Sequence, residues 1–232
     1  MKAQLNSNLT VISLGGSLVV PDAIDASFLK KFKRIIQNEI RKGRRFICIV
    51  GGGKIARRYQ HAAREVTKMS NEDLDWLGIH ATRLNAHLLR TIFRANAYPK
   101  IITSTKKIKR TIHASVIIAS GFRPGASTDL CAVKLAKEFG AKTIMNLSNI
   151  DWVYSKDPRK FPKAKKFETM SWRQFRSLFG TRWDPGANVP FDPVASRWAA
   201  KWKMTVVVTN GTDLKNFQKI LQKKKAKGTV IS

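Results

Sequence analysis

The stretch Cys48–Ala63, CIVGGGKIARRYQHAA, sets the reading of the whole chain. An apolar run ends in three glycines. A segment of helical periodicity follows at once and opens with Lys54, Arg57 and Arg58. A buried strand turning directly into a helix is the unit of a parallel sheet covered on both faces. The same grammar recurs on either side. Leu9–Leu14 (LTVISL) reads as a strand and runs into Gly15, Gly16 and Ser17. In Phe28–Ile40, the residues Phe28, Leu29, Phe32, Ile35, Ile36 and Ile40 fall on one helical stripe. Arg45–Val50 is the next strand and Lys54–Val66 its helix. Glu72–Ala95 predicts a long helix, and Ala114–Ser120 a strand. A helix capped by Ser127 or Thr128 stops at Gly140. Lys142–Leu147 and Met204–Thr209 are strands, Thr212–Lys224 is a late helix, and Gly228–Ser232 is a short last strand. The strands are continuously apolar rather than alternating, so the fold class is α/β with a mostly parallel central sheet. No linker, low-complexity segment or repeat interrupts it. Ligands of such sheets gather at the carboxyl ends of the strands, where these glycines stand.

The chain has 232 residues, of which 43% are hydrophobic, enough to fill the core of one large domain or two closely joined lobes. No uninterrupted apolar run of about 18 residues occurs, so no membrane span is expected. The first residues do not read as a signal peptide. Cys48 and Cys131 sit in apolar or helical surroundings and read as buried thiols in a reducing cytoplasm. No CxxC, HExxH or paired-histidine spacing supports a metal site. The charge is the anomaly: 44 Lys and Arg against 15 Asp and Glu, a formal net of +29. It carries two readings, a general ionic bias and a surface for polyanions such as nucleic acid. The densest runs are Lys30–Arg34, Lys106–Arg110 and Lys223–Lys227.

The turns carry the chemistry. Glycine admits a close ligand approach, and a helix starting just after it offers free N–H groups and a positive dipole end to an anion. GGGKIAR thus reads as a phosphate cradle, with Arg57 one turn in and able to make a bidentate contact. Taken alone, the triplet is equally a tight structural turn. It matches neither the Walker nor the GxGxxG spacing. In Leu74–Leu89, the residues Asp75, Gly78, Thr82 and Asn85 share one face, which suits contact with a backbone or a sugar. GFRPGASTD (Gly121–Asp129) combines two glycines with a capping Ser-Thr-Asp, and Asp129 can orient a metal-bound phosphate or a lysine. Asp151, Tyr154, Lys156 and Asp157 fall in a polar loop after a strand. A tyrosine there can pack on a purine, a lysine can meet a phosphate and a carboxylate can hold a ribose. His61, His80, His87 and His113 read as surface or packing residues, so no Ser-His-Asp arrangement is argued.

Together, SLGGSLVVP, VGGGKIARRY, LDWLGIHATRLNAHLL, GFRPGASTDLCAVKLA, NIDWVYSKDP, FDPVASRWAAK and GTVIS resemble, in order and spacing, the amino-acid kinase superfamily and its archaeal-type uridylate (UMP) kinase branch. The resemblance covers nearly the whole chain, and GIHATRLNA is its most specific motif. It implies a three-layer αβα sandwich, with an acceptor lobe over about 1–140 and an ATP lobe over about 141–232. It implies a cytoplasmic, usually hexameric enzyme that converts UMP and ATP to UDP and ADP with Mg2+. On the family's pattern, Gly52, Gly53, Arg57, Asp75, Gly121 and Thr128 bind UMP. Gly15, Gly16, Ser17, Asn149, Tyr154 and Asp157 bind ATP. The family's lysine two residues before the first glycine pair is Ser13 here, so Lys54 is the candidate to supply that cation, alongside Asp129. Trp152 replaces a glycine in the ATP loop, where a tight turn with positive φ is expected to be disturbed. The stretch Arg182–Pro193 is unusual for the family. Two other readings stand beside this one: a related kinase of a small phosphate such as isopentenyl phosphate, and a weakly active protein that binds nucleic acid. The isopentenyl phosphate branch has a histidine after its second glycine turn, where this chain has Lys54 and Ile55.

Overall fold

In the computed structural model, which describes residues 8–106, 108, 112–158, 160–181 and 189–232, Leu9–Leu14 (β1) lies at the centre of the sheet. Arg45–Val50 (β2) pairs with it in parallel on one side and Thr143–Ser148 (β4) on the other. Val116–Ala119 (β3) extends the sheet beyond β2, and Thr205–Asn210 (β8) extends it beyond β4. Thr229–Ile231 (β9) runs antiparallel to β8, with Thr169–Met170 (β7) at the edge, giving the order β3-β2-β1-β4-β8-β9-β7. The chain adds strands on one side of β1 and then crosses to the other. The order therefore reverses between β1 and β4, and their carboxyl ends form the crevice where such sheets take ligands.

Both faces are covered, which is why the strands lack polar alternation. Ile12, Leu14, Phe46, Cys48, Met145 and Val207 face one layer, and Val11, Ile47, Ile49, Ile144, Val206 and Val208 face the other. The first layer is built from Ala26–Arg41 (α2), Asn71–Ile92 (α4) and Leu214–Leu221 (α8). There Phe32 stacks on Phe28 and Phe217, both at 5.8 Å, and meets the edge of Phe93 at 6.3 Å. The second layer is built from Thr128–Glu138 (α5), Trp172–Phe179 (α6) and Pro193–Lys201 (α7). Gly53–Val66 (α3) buries only Ala56 and stands out from the sheet beside α4. The outer edge of β3 is closed by the segment after α4, where Tyr98 and Ile102 donate to the carbonyls of Val116 and Ile118.

Several boundaries differ from the sequence reading for local reasons. Helix α2 starts at Ala26 rather than Phe28 because the Asp25 side chain accepts the Phe28 N–H at 2.8 Å. Helix α4 ends at Ile92 rather than Ala95. Ser127, not Thr128, caps α5 by accepting from Leu130 N, and Gly140 follows with φ +71°. Helices α6 and α7 were not anticipated, although Ser171 and Gln174 form a capping box and Asp192 caps a helix with Pro193 at its start. A short helix, Gly16–Val19 (α1), and a small hairpin of Val153–Tyr154 (β5) with Lys166–Phe167 (β6) were also absent from the sequence reading. Both cysteines are buried and free, and burial pushes each thiol up to about 12. Most of the basic run 106–110 and the stretch 182–188 lie outside the described residues. So does the chain start 1–7.

Candidate active site

The glycine turns after β1 and β2 press against each other, backbone on backbone. A Cβ on Gly16 would lie 2.1 Å from the Gly53 nitrogen, and one on Gly53 would lie 2.6 Å from the Gly16 carbonyl oxygen. Gly53 also has φ +67°, a conformation that favours glycine. The triplet is therefore required first by the approach of the two turns. Gly52 caps α3 without a side-chain hydrogen bond, which leaves the opening N–H groups of a 14-residue helix without a side-chain acceptor. Gly15 belongs to the neighbouring crevice wall, where its N–H donates to Leu147 O at 2.9 Å, and Ser17 lies at the start of α1.

The polar face of α4 meets backbone, as its spacing predicts. Asn85 Nδ2 donates to the carbonyls of Gly51 and Gly52 at 2.9 and 3.3 Å. Thr82 Oγ1 accepts the Gly121 N–H at 2.8 Å and donates to Ile79 O. Asp75 Oδ2 accepts the Gly125 N–H at 2.7 Å. Gly52 lets the turn approach α4 closely, since a Cβ there would lie 3.3 Å from the Gly78 carbonyl oxygen. One helix thus fixes two loops that come from different strands.

Between these loops lies a cleft of about 280 Å³ lined by Gly52, Gly53, Arg57, Asp75, Gly121 and Thr128. Arg123 also lines it and was not singled out from the sequence, although GFRPG carries its one cation between two glycines. Arg57 is exposed and has no hydrogen bond or ion pair among the described residues. Lys54 is directed elsewhere. Its Nζ pairs with Asp22 Oδ1 at 2.8 Å, which holds the Asp22 carboxyl below its ordinary range, and it borders an outer hollow of α3 with Arg57, Arg58 and His61.

A second cavity, about 110 Å³, opens after β4 and is lined by Asn149, Trp152, Tyr154, Asp157, Phe179 and Pro190, among others. Trp152 needs no left-handed backbone: Lys203 and Lys223 are the non-glycine residues with positive φ among those described. A polar cluster gathers around Asp129. Asp129, one residue beyond Thr128, accepts from Ser13 Oγ at 2.8 Å, Asn146 Nδ2 at 3.2 Å and Asp192 N at 3.1 Å. Burial pushes the Asp129 carboxyl up to about 6, with the nearby Asp192 adding to the rise, while the Ser13 hydrogen bond opposes it. Burial also raises Asp192, which accepts from Ala195 N and from Ser127. Neither carboxylate is paired with a lysine or arginine among the described residues. Asn146 and Asp192 were not foreseen, because nothing in their local sequence shows that they converge on Asp129.

The arrangement is a cleft lined by two arginines, a second cavity after β4, and a pair of buried carboxylates. The family model described as amino acid kinase family matches residues 8–210. The uridylate kinase of Methanocorpusculum labreanum is 34% identical over 223 residues, covering 95% of this chain and 94% of that protein. That of Methanospirillum hungatei is 35% identical over 224 residues, covering 96% and 94%. Among solved structures, uridylate kinase from Archaeoglobus fulgidus superposes with a TM-score of 0.80 at 31% identity, covering 96% of this chain and 99% of that one. UMP kinase from Bacillus anthracis shares the fold with a TM-score of 0.80 at 19% identity, covering 97% and 96%. The profile, the full-length identity and the shared sheet agree with the two-cavity geometry: the chain belongs to the amino acid kinase family.

Proposed function

We propose that the protein is a uridylate kinase that transfers the terminal phosphoryl group of ATP to UMP, giving UDP and ADP. The observation that carries this reading is the convergence of Gly52, Gly53, Arg57, Asp75, Gly121 and Thr128 on one cleft, with Asn149, Tyr154 and Asp157 gathered around a second. The acceptor-lining residues come from the first 140 positions and the donor-lining ones from the rest, which supports the division into an acceptor lobe and an ATP lobe. In the cleft, the start of α3 and the Arg57 guanidinium receive the monophosphate, with Arg123 as a further cation. Asp75, with one oxygen held by Gly125, turns the other to a ribose hydroxyl. On the family's pattern, Gly15, Gly16 and Ser17 are assigned to the donor's phosphates, on the turn after β1 that packs against Gly51 and Gly53.

No protein nucleophile is required, because the acceptor phosphate attacks directly. Catalysis is positioning plus neutralisation of charge between two anions. Asp129 and Asp192 would be the chain's own ligands for a Mg2+ ion carried by the donor's phosphates. They are enclosed oxygen donors lacking a cationic partner, and a pair rather than a cage suits an ion that keeps water and phosphate ligands. Bound there, Mg2+ would screen the phosphate charges from one another. With Lys54 tied to Asp22, the cationic share falls to Arg57, Arg123 and α3.

The reading includes a homo-oligomer, a hexamer on the family's pattern, supported by apolar side chains left exposed on α3 and α4: Tyr59, Val66, Trp76 and Leu84. A cytoplasmic location is supported by the two free thiols. No helix among the described residues is long and apolar enough to cross a membrane. The test is a coupled ADP-release assay with ATP and Mg2+, offering UMP, CMP, AMP and isopentenyl phosphate in parallel. Turnover on UMP far above the others is expected. Turnover on isopentenyl phosphate alone, or on none of the four, overturns the reading.

A further inference from the structure

The basic run Lys223–Lys227 plays no part in either cavity of the reaction. Its Lys225 and Lys227 line a separate groove of about 640 Å³ together with Lys215 and Lys219 of α8. None of these four ammonium groups has an ion pair among the described residues. Trp152 borders the same groove, and Lys166 Nζ lies 4.8 Å from its ring centroid. Two carboxylates are present but engaged. Asp213 accepts the Asn216 N–H at 2.9 Å, and Glu168 lies 4.0 Å from Lys166. The groove walls are firm: Asn216 is buried and bonded to Thr209 and to both backbone groups of Lys227.

We propose that this groove binds single-stranded nucleic acid, with the lysines tracking consecutive phosphates and the Trp152 indole receiving an unstacked base. Unpaired lysines beside an aromatic ring are the recurring elements of single-strand sites, where charge follows the backbone and the ring accepts any base. A duplex hides its base faces and has no use for the indole. The net charge of +29 raises the local concentration of any polyanion, and the groove supplies the seat. The site is distinct from the acceptor cleft and shares only Trp152 with the donor cavity, so it stands or falls apart from the kinase reading.

The experiment is fluorescence anisotropy with a 5′-labelled oligodeoxythymidylate of about twelve nucleotides, within the usual span of such sites, at several NaCl concentrations. For Lys219→Gln/Lys227→Gln, the slope of log K against log [salt] is expected to shallow by about 1.4, about 0.7 per lost phosphate contact. The control Lys30→Gln/Lys31→Gln, exposed on α2, should leave the slope unchanged. An abasic oligomer of equal length should bind wild type about tenfold more weakly. That difference should vanish in Trp152→Ala, with kinase turnover of the lysine pair unaltered. The proposal is overturned if the control pair lowers the slope as much as the groove pair. It also fails if abasic and base-bearing oligomers bind wild type alike, or if UMP displaces the oligomer, which would place it in the cleft.

Discussion

Lys54 lies on the first turn of α3 and Arg57 three residues further on, yet their surroundings assign them different work. Arg57 lines the cleft without a partner among the described residues, whereas Lys54 closes on Asp22 at 2.8 Å. Removing a charge-assisted contact to a phosphate costs about 1.5–3 kcal/mol, a factor of about 10 to 150. Arg57→Ala should therefore raise KM for UMP by that range with ATP kinetics unchanged. Lys54→Ala, having lost only an exposed pair, should stay within about threefold. Steady-state kinetics in both substrates separates the two, and an unchanged KM for UMP in Arg57→Ala removes the phosphate from this turn. Asp129 makes a prediction about pH. Folded, it keeps its proton up to about pH 6, whereas an unfolded aspartate has lost it by about pH 4. Between those values the folded state binds more protons, so this group lowers stability as pH rises and the loss is complete above pH 6. Asp129→Asn should accordingly gain on wild type, in thermal unfolding of the free protein, by up to about 3 kcal/mol between pH 4 and 7. The amide also turns a donor toward the Asp192 N–H, a cost independent of pH, so the trend with pH is the readout. A parallel pH dependence in both proteins rejects the raised pKa. On the proposed role of Asp129 as a ligand of the donor's Mg2+, turnover should nonetheless fall, because the variant no longer offers a carboxylate.

At the scale of elements, α4 is the part on which the cleft depends. Its 22 residues carry Asp75, Thr82 and Asn85 on one face; Asn85 holds the turn after β2, and Thr82 and Asp75 hold the loop after β3. Asn85 is 3% exposed, so Asn85→Ala leaves the carbonyls of Gly51 and Gly52 without their side-chain donor in an enclosed place. An unsatisfied buried group costs about 1–3 kcal/mol. The expected result is a loss of that size in thermal stability together with a raised KM for UMP, since the second turn loses its hold. A stability loss with KM unchanged would show that the turn is kept in place by Gly16 alone. The face of α4 was legible in the sequence because positions three and four apart must share a side. The strands were legible because β1, β2 and β4 carry apolar residues on both faces. The capping box at Ser171 and the Asp-Pro start at Asp192 are local signals, but α6 and α7 offer short apolar stripes flanked by aromatic and basic residues, and periodicity alone does not separate these from loop.

The whole molecule adds what no local pattern contains. Asp129 and Asp192 are 63 positions apart, and Asn146 reaches Asp129 from across the crevice. Their meeting depends on the reversal of strand order between β1 and β4, which a single sequence shows only through resemblance to a family. The exchange of a catalytic lysine for Ser13 was visible as a letter, but its consequence, a hydroxyl donating to Asp129 at 2.8 Å, was not. Charge is the other global property. Folding draws 29 excess positive charges into a body with a radius of gyration of about 17 Å, from an unfolded chain of about 50 Å. At about 10 mM salt the Debye length is about 30 Å, longer than the folded radius, so every basic group repels every other. At about 0.15 M it is about 8 Å, and only neighbours interact. The described ion pairs offset little of this, since Glu39 with Lys42 and Arg44 forms the one set built on a buried carboxylate. The melting temperature should therefore rise with NaCl over this range, by about 2–4 °C for each kcal/mol of repulsion relieved. Differential scanning fluorimetry in a salt series reads it directly. A flat or falling curve would mean that attractive pairs balance the excess, and that the surplus lysines are spaced too widely to strain the fold.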